Sequence, residues 1–173
     1  MKNNLNIHWE TLDRYLSYLI RTFLIFRVER TKTKRLLIKR RSGNVKFYLT
    51  DVALRNAFYN RTEDVSFDSD EMSFIAENLV CTVLQRWLRG PKREEQVSFY
   101  KDRSGEVDFV FKGPNSITPI EVKWRNDMPP LKTLKKLETS WDIKQSNLIT
   151  KGQDLDVREG RFPIPLWFFL LCF

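Results

Sequence analysis

Asp108, Glu121 and Lys123 lie in the stretch GEVDFVFKGPNSITPIEVKW, where they put two carboxylates and an ammonium on segments that otherwise read as apolar strand. Val107, Phe109 and Phe111 alternate to one face, with Asp108 and Val110 on the other. Ile120, Val122 and Trp124 likewise share a face, leaving Glu121 and Lys123 opposite. If the segments pair antiparallel with both apolar sets on one side, Asp108 joins Glu121 and Lys123, with cross-strand neighbours roughly 5 Å apart. A third carboxylate comes from the helical stretch EMSFIAENLVCTVLQRWLRG. Helical rotation puts Glu77 on the stripe of Ser73, Phe74, Val80, Cys81, Leu84 and Leu88, with Asn78, Thr82, Gln85, Arg86 and Arg89 on the other side. A carboxylate in an apolar stripe is costly without a partner. Glu77, Asp108 and Glu121 around one or two magnesium or manganese ions would make a hydrolytic site. Lys123 would then orient the attacking water or stabilise developing phosphorane charge. The competing reading is a structural Lys–Glu ion pair on a strand face, and parity alone leaves both open.

Composition narrows the chemistry. His8 is the only histidine and the two cysteines, Cys81 and Cys172, have no zinc spacing, so a resident metal must be held mainly by oxygen. A Ser-His-Asp triad would depend on that one histidine near the N-terminus. The net charge of +8 favours a polyanionic partner. At 173 residues, 42% hydrophobic with thirteen Phe and five Trp, the chain can build one ordinary core, or a core and a small accessory unit. The longest apolar run, PIPLWFFLLCF, is too short for a membrane span, so a cytoplasmic protein with no membrane partner is expected.

The positioning elements follow from periodicity. HWETLDRYLSYLIRTFLIFRV has helical spacing at Trp9, Leu12, Tyr15, Leu16, Leu19, Ile20 and Phe23, and Leu24 to Val28 reads as strand. A hairpin follows, turning at Ser42 to Asn44 and carrying Lys32, Lys34, Arg35, Lys39, Arg40, Arg41 and Lys46. A helix followed by a basic hairpin is the back half of a winged helix-turn-helix, and those seven residues are candidate DNA contacts. The alternative is a solvated hairpin whose charges blunt its edges.

The polar stretch Asn60 to Glu71 breaks the composition, with Ser69 and Asp70 as N-cap candidates for the helix that ends at Gly90-Pro91. Strands are expected at Gln96–Lys101, Glu106–Phe111 and Thr118–Trp124, a helix from Leu131, and a strand at Asn147–Thr150. Trp87 and Trp141 fall on apolar helix faces, whereas Lys132, Lys135 and Lys136 form a solvated one. The apolar tail reads as a buried terminal strand, or else as a docking edge for self-association. The resulting order, α-β-β-β-α-β, predicts an α/β fold with helices flanking a small mixed sheet.

GEVDFVF…TPIEVKW resembles the PD-(D/E)xK motif of the restriction-endonuclease-like superfamily. More narrowly, the chain from about Trp9 onward is similar to the C-terminal part of AAA-type ATPases common in archaea, in which a winged helix and a nuclease-like domain follow the ATPase module. KFYLTDVALRNAF, FIAENLVCTVLQRW, SGEVDFVF, PIEVKW and IPLWFFLL carry the likeness. It implies a partial winged helix-turn-helix over residues 1–45 and a nuclease-like domain with the restriction-endonuclease-like core over 46–173. It also implies Glu77, Asp108 and Glu121 as ligands of magnesium or manganese, with Asp108, Glu121 and Lys123 as catalytic residues. DNA and an ATPase subunit are the implied partners. Two departures stand out: Val107 replaces the proline before Asp108, and no G-x-x-x-x-G-K-[ST] loop occurs, so nucleotide hydrolysis is not expected.

Overall fold

A computed structural model describes residues 7–34, 44–58, 67–88, 96–125, 131–152 and 163–172. The amphipathic first segment forms α1 (Trp9–Arg21). It stops where Thr22 donates its backbone N–H to Tyr18 and Phe23 takes a positive φ of 58°. β1 (Ile25–Thr31) runs three residues past the expected strand and pairs antiparallel with β2 (Val45–Leu49), Val28 opposite Lys46. After the short α2 (Ala53–Phe58) comes α3 (Ser69–Leu88). Then follow β3 (Gln96–Asp102), β4 (Gly105–Lys112), β5 (Ile117–Lys123), α4 (Lys132–Trp141) and β6 (Asn147–Thr150). From α3 to β6 this is the expected α-β-β-β-α-β order.

The cap of α3 is Asp68, one residue before the expected pair. Its Oδ1 accepts the N–H of Glu71 at 2.7 Å, while Glu71 Oε2 accepts the N–H of Asp68 at 3.3 Å. This is the reciprocal capping box, with Asp in the Ser/Thr place.

Among the described residues, seven strands form one mixed sheet in the order β2-β1-β3-β4-β5-β6-β7, flanked by five helices. Three of its pairings are antiparallel and three parallel. The β1–β2 hairpin is part of this sheet, because β1 runs parallel to β3 with Glu29 opposite Ser98. A boundary between residues 45 and 46 therefore falls inside a hairpin of a continuous sheet.

Adjacent strand residues point to opposite faces, and two cores result. Phe109, Ile120 and Ile149 pack under α3 with Val80, Cys81 and Leu84. Val110 and Leu148 pack under α4 with Leu134 and Leu137. Trp87 meets Phe111 edge-on at 5.4 Å and Trp141 meets Tyr100 at 5.6 Å, so both join cores as expected. Lys132, Lys135 and Lys136 are exposed.

α3 corrects the helical-wheel reading at three positions. Ser73 and Phe74 are exposed, and Asn78, placed on the polar side, is fully buried. Its side chain accepts the N–H of Leu49 at 2.8 Å and donates to the Leu49 carbonyl at 2.8 Å. A wheel assumes one buried stripe, whereas α3 packs against β2, β3, β4, β5 and α5.

The tail is also corrected. Only Pro163–Pro165 is a strand, β7, at the sheet edge where absent proline N–H groups cost no outer ladder bond. Leu166–Cys172 is a helix, α5. Leu166 and Phe169, three residues apart, face inward, leaving Trp167, Phe168 and Leu171 on the surface. A run of consecutive apolar residues carries no period, so its pattern fits a covered strand and a helix equally. No helix among the described residues is long and apolar enough to cross a membrane.

Candidate functional site

A break in the ladder of β4 builds the site. Ser98 lies opposite Val110 but Tyr100 lies opposite Val107, so β4 spends one residue more than β3 in this step. Asp108 and Phe109 thus share the space across from Phe99, the pattern of a β-bulge. The bulge overturns one parity expectation: Phe109 stays in the α3 core, whereas Val107 packs in the α4 core. On the other side, the ladder with β5 ends at Phe109–Ile120, one step short of Asp108 and Glu121. There Asp108 Oδ2 accepts the backbone N–H of Val122 at 2.8 Å.

Asp108, Glu121 and Lys123 come together as the sequence suggests. Lys123 Nζ lies 2.6 Å from Glu121 Oε1 and 3.5 Å from Asp108 Oδ2. Both carboxylates are buried, at 8% and 6% exposure; the Asp108 N–H draws on the Glu121 carboxylate, while Glu121 Oε2 makes no close hydrogen bond among the described residues. Burial and the Glu121 charge push Asp108 up to about 7. Burial pushes Glu121 up as well, against the pull of Lys123. Lys123 is itself held above its usual value by the two carboxylates, although burial opposes this. The directions agree on one physical point: a single ammonium does not offset two buried anions. Positive charge is in deficit here.

Glu77 stands apart from this pair. Its Oε1 accepts hydrogen bonds from the Tyr48 hydroxyl at 2.5 Å and from Lys46 Nζ at 2.8 Å. Its charge still reaches both Asp108 and Glu121, raising each. Among the described residues, no three Asp, Glu, His or Cys side chains converge closely enough to hold a metal ion. The expected three-carboxylate set is therefore not assembled in this arrangement. Asp108 and Glu121 meet at Lys123, and Glu77 is engaged by β2.

Of the candidate DNA contacts, Lys32 and Lys34 are exposed after β1. Lys34 lines a cleft of about 470 Å³ with Lys112 and Lys144. Arg35, Lys39, Arg40 and Arg41 lie outside the described residues. Lys46 turns inward instead, pairing with Glu77 and with Glu106, which Lys101 also holds at 3.0 Å. An apolar cleft of about 370 Å³ lies between Phe47, Phe58 and Phe74, and neither cleft is lined by Asp108, Glu121 or Lys123. Tyr48, Glu106 and the inward turn of Lys46 escaped sequence reasoning. In VKFYL the wholly apolar set is Val45, Phe47 and Leu49, so alternation points to the wrong face, and only the opposition of Lys46 to fully buried Val28 reveals the inner one.

No curated protein and no solved structure matches the chain. Residues 1–65 match a family described as a domain of unknown function, DUF8612. A second domain of unknown function, DUF4143, matches residues 72–169, more than half of the chain and the whole span from Glu77 to Lys123, and the chain belongs to this family.

Proposed function

We propose that the chain is a DNA-associated protein whose Asp108–Glu121–Lys123 cluster is a magnesium-dependent phosphodiesterase site of the restriction-endonuclease-like kind. One observation carries the reading: two carboxylates are buried side by side with one close ammonium, and Glu121 Oε2 makes no close hydrogen bond among the described residues, a cost that a shared cation would remove. The residues fit such an ion, since Asp108 and Glu121 supply hard oxygen donors and no softer ligand stands among them. When bound, magnesium or manganese would polarise the phosphoryl oxygen and lower the pKa of a water ligand.

The protein's own part is positioning. Asp108 is pinned by the Val122 N–H, and Glu121 by Lys123, so both carboxylates are set before a ligand arrives. Lys123, part-exposed and protonated, would stabilise charge developing on a phosphodiester held at the pair. Exposed Lys32 and Lys34 and the basic run beyond them would hold the backbone. The likeness to the C-terminal part of AAA-type ATPases supports a partial winged helix at the N-terminus and an ATPase partner. The apolar surface of α5, Trp167, Phe168 and Leu171, is the candidate for docking or self-association.

A second reading has its own support. Glu77 is tied to Lys46 and Tyr48, as in a site that has lost its metal and serves as a DNA- or protein-binding accessory domain. Cleavage of plasmid and branched DNA with Mg2+ separates the two. Cutting that disappears in Asp108→Ala and Lys123→Ala supports the phosphodiesterase, and metal-dependent cutting that survives both changes removes it. Salt-sensitive DNA binding with no Mg2+ uptake supports the accessory domain.

A further inference from the structure

Lys46 reaches Glu77 on α3 and Glu106 on β4 from a strand three places away in the sheet. Its ammonium also lies 5.4 Å from the centroid of the Phe99 ring, on the strand that faces the Asp108 bulge. Two carboxylates hold this lysine charged even though burial works against it, and the Asp108 charge contributes. Tyr48, two residues along β2, donates to the same Glu77 oxygen. Two donors from one strand thus converge on Oε1, while Oε2 of Glu77 takes no hydrogen bond among the described residues. Four carboxylates, Glu77, Glu106, Asp108 and Glu121, share this region with two part-buried ammonium groups, Lys46 and Lys123.

We propose, resting on the reading of Asp108 and Glu121 as metal ligands, that Lys46 is the resident counter-cation of the cleft. It occupies Glu77 in the metal-free protein, opposes a divalent ion at Asp108 and Glu121, and frees Glu77 as a third oxygen ligand when it withdraws. The opposition is Coulombic, since a monovalent and a divalent cation must share one partly desolvated cluster. By reciprocity, an ion at Asp108 and Glu121 loosens the Lys46–Glu77 pair by the same factor.

Calorimetric titration of Mn2+ into the full chain tests this. Lys46→Met is expected to tighten Mn2+ binding by about tenfold, a coupling of ordinary size, and Lys46→Arg to stay near the starting affinity. Glu77→Gln alone, close in volume to the native residue, should change affinity by less than about threefold, because Glu77 is already engaged. In the Lys46→Met background the same change should erase the gain. Unchanged or weaker binding in folded Lys46→Met overturns the proposal, and so does a tenfold loss in Glu77→Gln alone. Mn2+ binding that Asp108→Asn and Glu121→Gln leave untouched overturns the metal-site reading itself, as does absence of uptake by every chain. Binding abolished by those two changes but indifferent to Lys46 leaves the site standing and removes only the counter-cation role.

Discussion

Asp108 accepts the backbone N–H of Val122 at 2.8 Å, so a side-chain carboxylate stands where a strand carbonyl would continue the β4–β5 ladder. The bulge beside Ser98 and Tyr100 adjoins this substitution: the β4–β5 ladder ends at Phe109–Ile120, and the next acceptor is a carboxylate instead of backbone. A carboxylate fixed this way keeps its place without a metal, but it is buried next to Glu121 with Lys123 as the one ammonium paired to both among the described residues. The local strand pairing therefore sets up the electrostatic deficit on which the functional reading rests.

That deficit has a pH signature. Asp108 stands at about 7 when folded, above its ordinary 3.8, so between those values the native state holds a proton that the unfolded chain has released. Its stabilising contribution is complete below pH 4 and is lost as pH rises through 7. Asp108→Asn, which keeps the acceptor for Val122, should be more stable than the native chain at pH 8 by about 1–3 kcal/mol. Most of that gain should vanish at pH 5. Urea denaturation at the two pH values measures it; a difference that does not vary with pH would mean that Asp108 is not in deficit.

Asn78 should be among the most sensitive positions outside the site. Asn78→Leu keeps the branched shape, with somewhat bulkier methyl groups, but leaves the N–H and C=O of Leu49 without their partner, at a cost of about 2–4 kcal/mol. Urea midpoints report it directly. A loss below about 1 kcal/mol would show that water or a shifted β2 replaces the amide.

Gly105, three residues before Asp108, begins β4 with φ at +146°. A Cβ there would stand 2.5 Å from Thr133 Oγ1 on α4. Gly105→Ala should cost about 1–3 kcal/mol, and adding Thr133→Ala should return only the part due to the contact. Full recovery in the double variant, measured by the same denaturation, would place the whole cost in the contact and none in the backbone.

Much of the fold was legible because its segments have clear periods. The strand alternation of β4 and β5 and the break at Asn60 to Glu71 make the order from α3 to β6 readable from the residues alone. The meeting of Asp108 with Glu121 and Lys123 was legible from parity, although the bulge that brings it about was not. Alternation has no symbol for an extra residue, and Val107 changed faces as a result. Asn78 was missed because a wheel assigns one buried stripe to a helix that is covered on several sides. The Lys46–Glu77 pair was missed because it depends on β2 lying in the same sheet as β4, and that follows only from the parallel pairing of β1 with β3. The tail failed for lack of any period at all.

The central claim is that Asp108 and Glu121 share a divalent cation, with Lys123 beside it. A crystal of the full chain grown with Mn2+ tests this most directly through anomalous scattering. A peak bridging the two carboxylates, within bonding distance of an oxygen of each and satisfying Glu121 Oε2, is the expected result. Saturating Mn2+ with no peak there, and Lys123 still closing on both carboxylates, would contradict it.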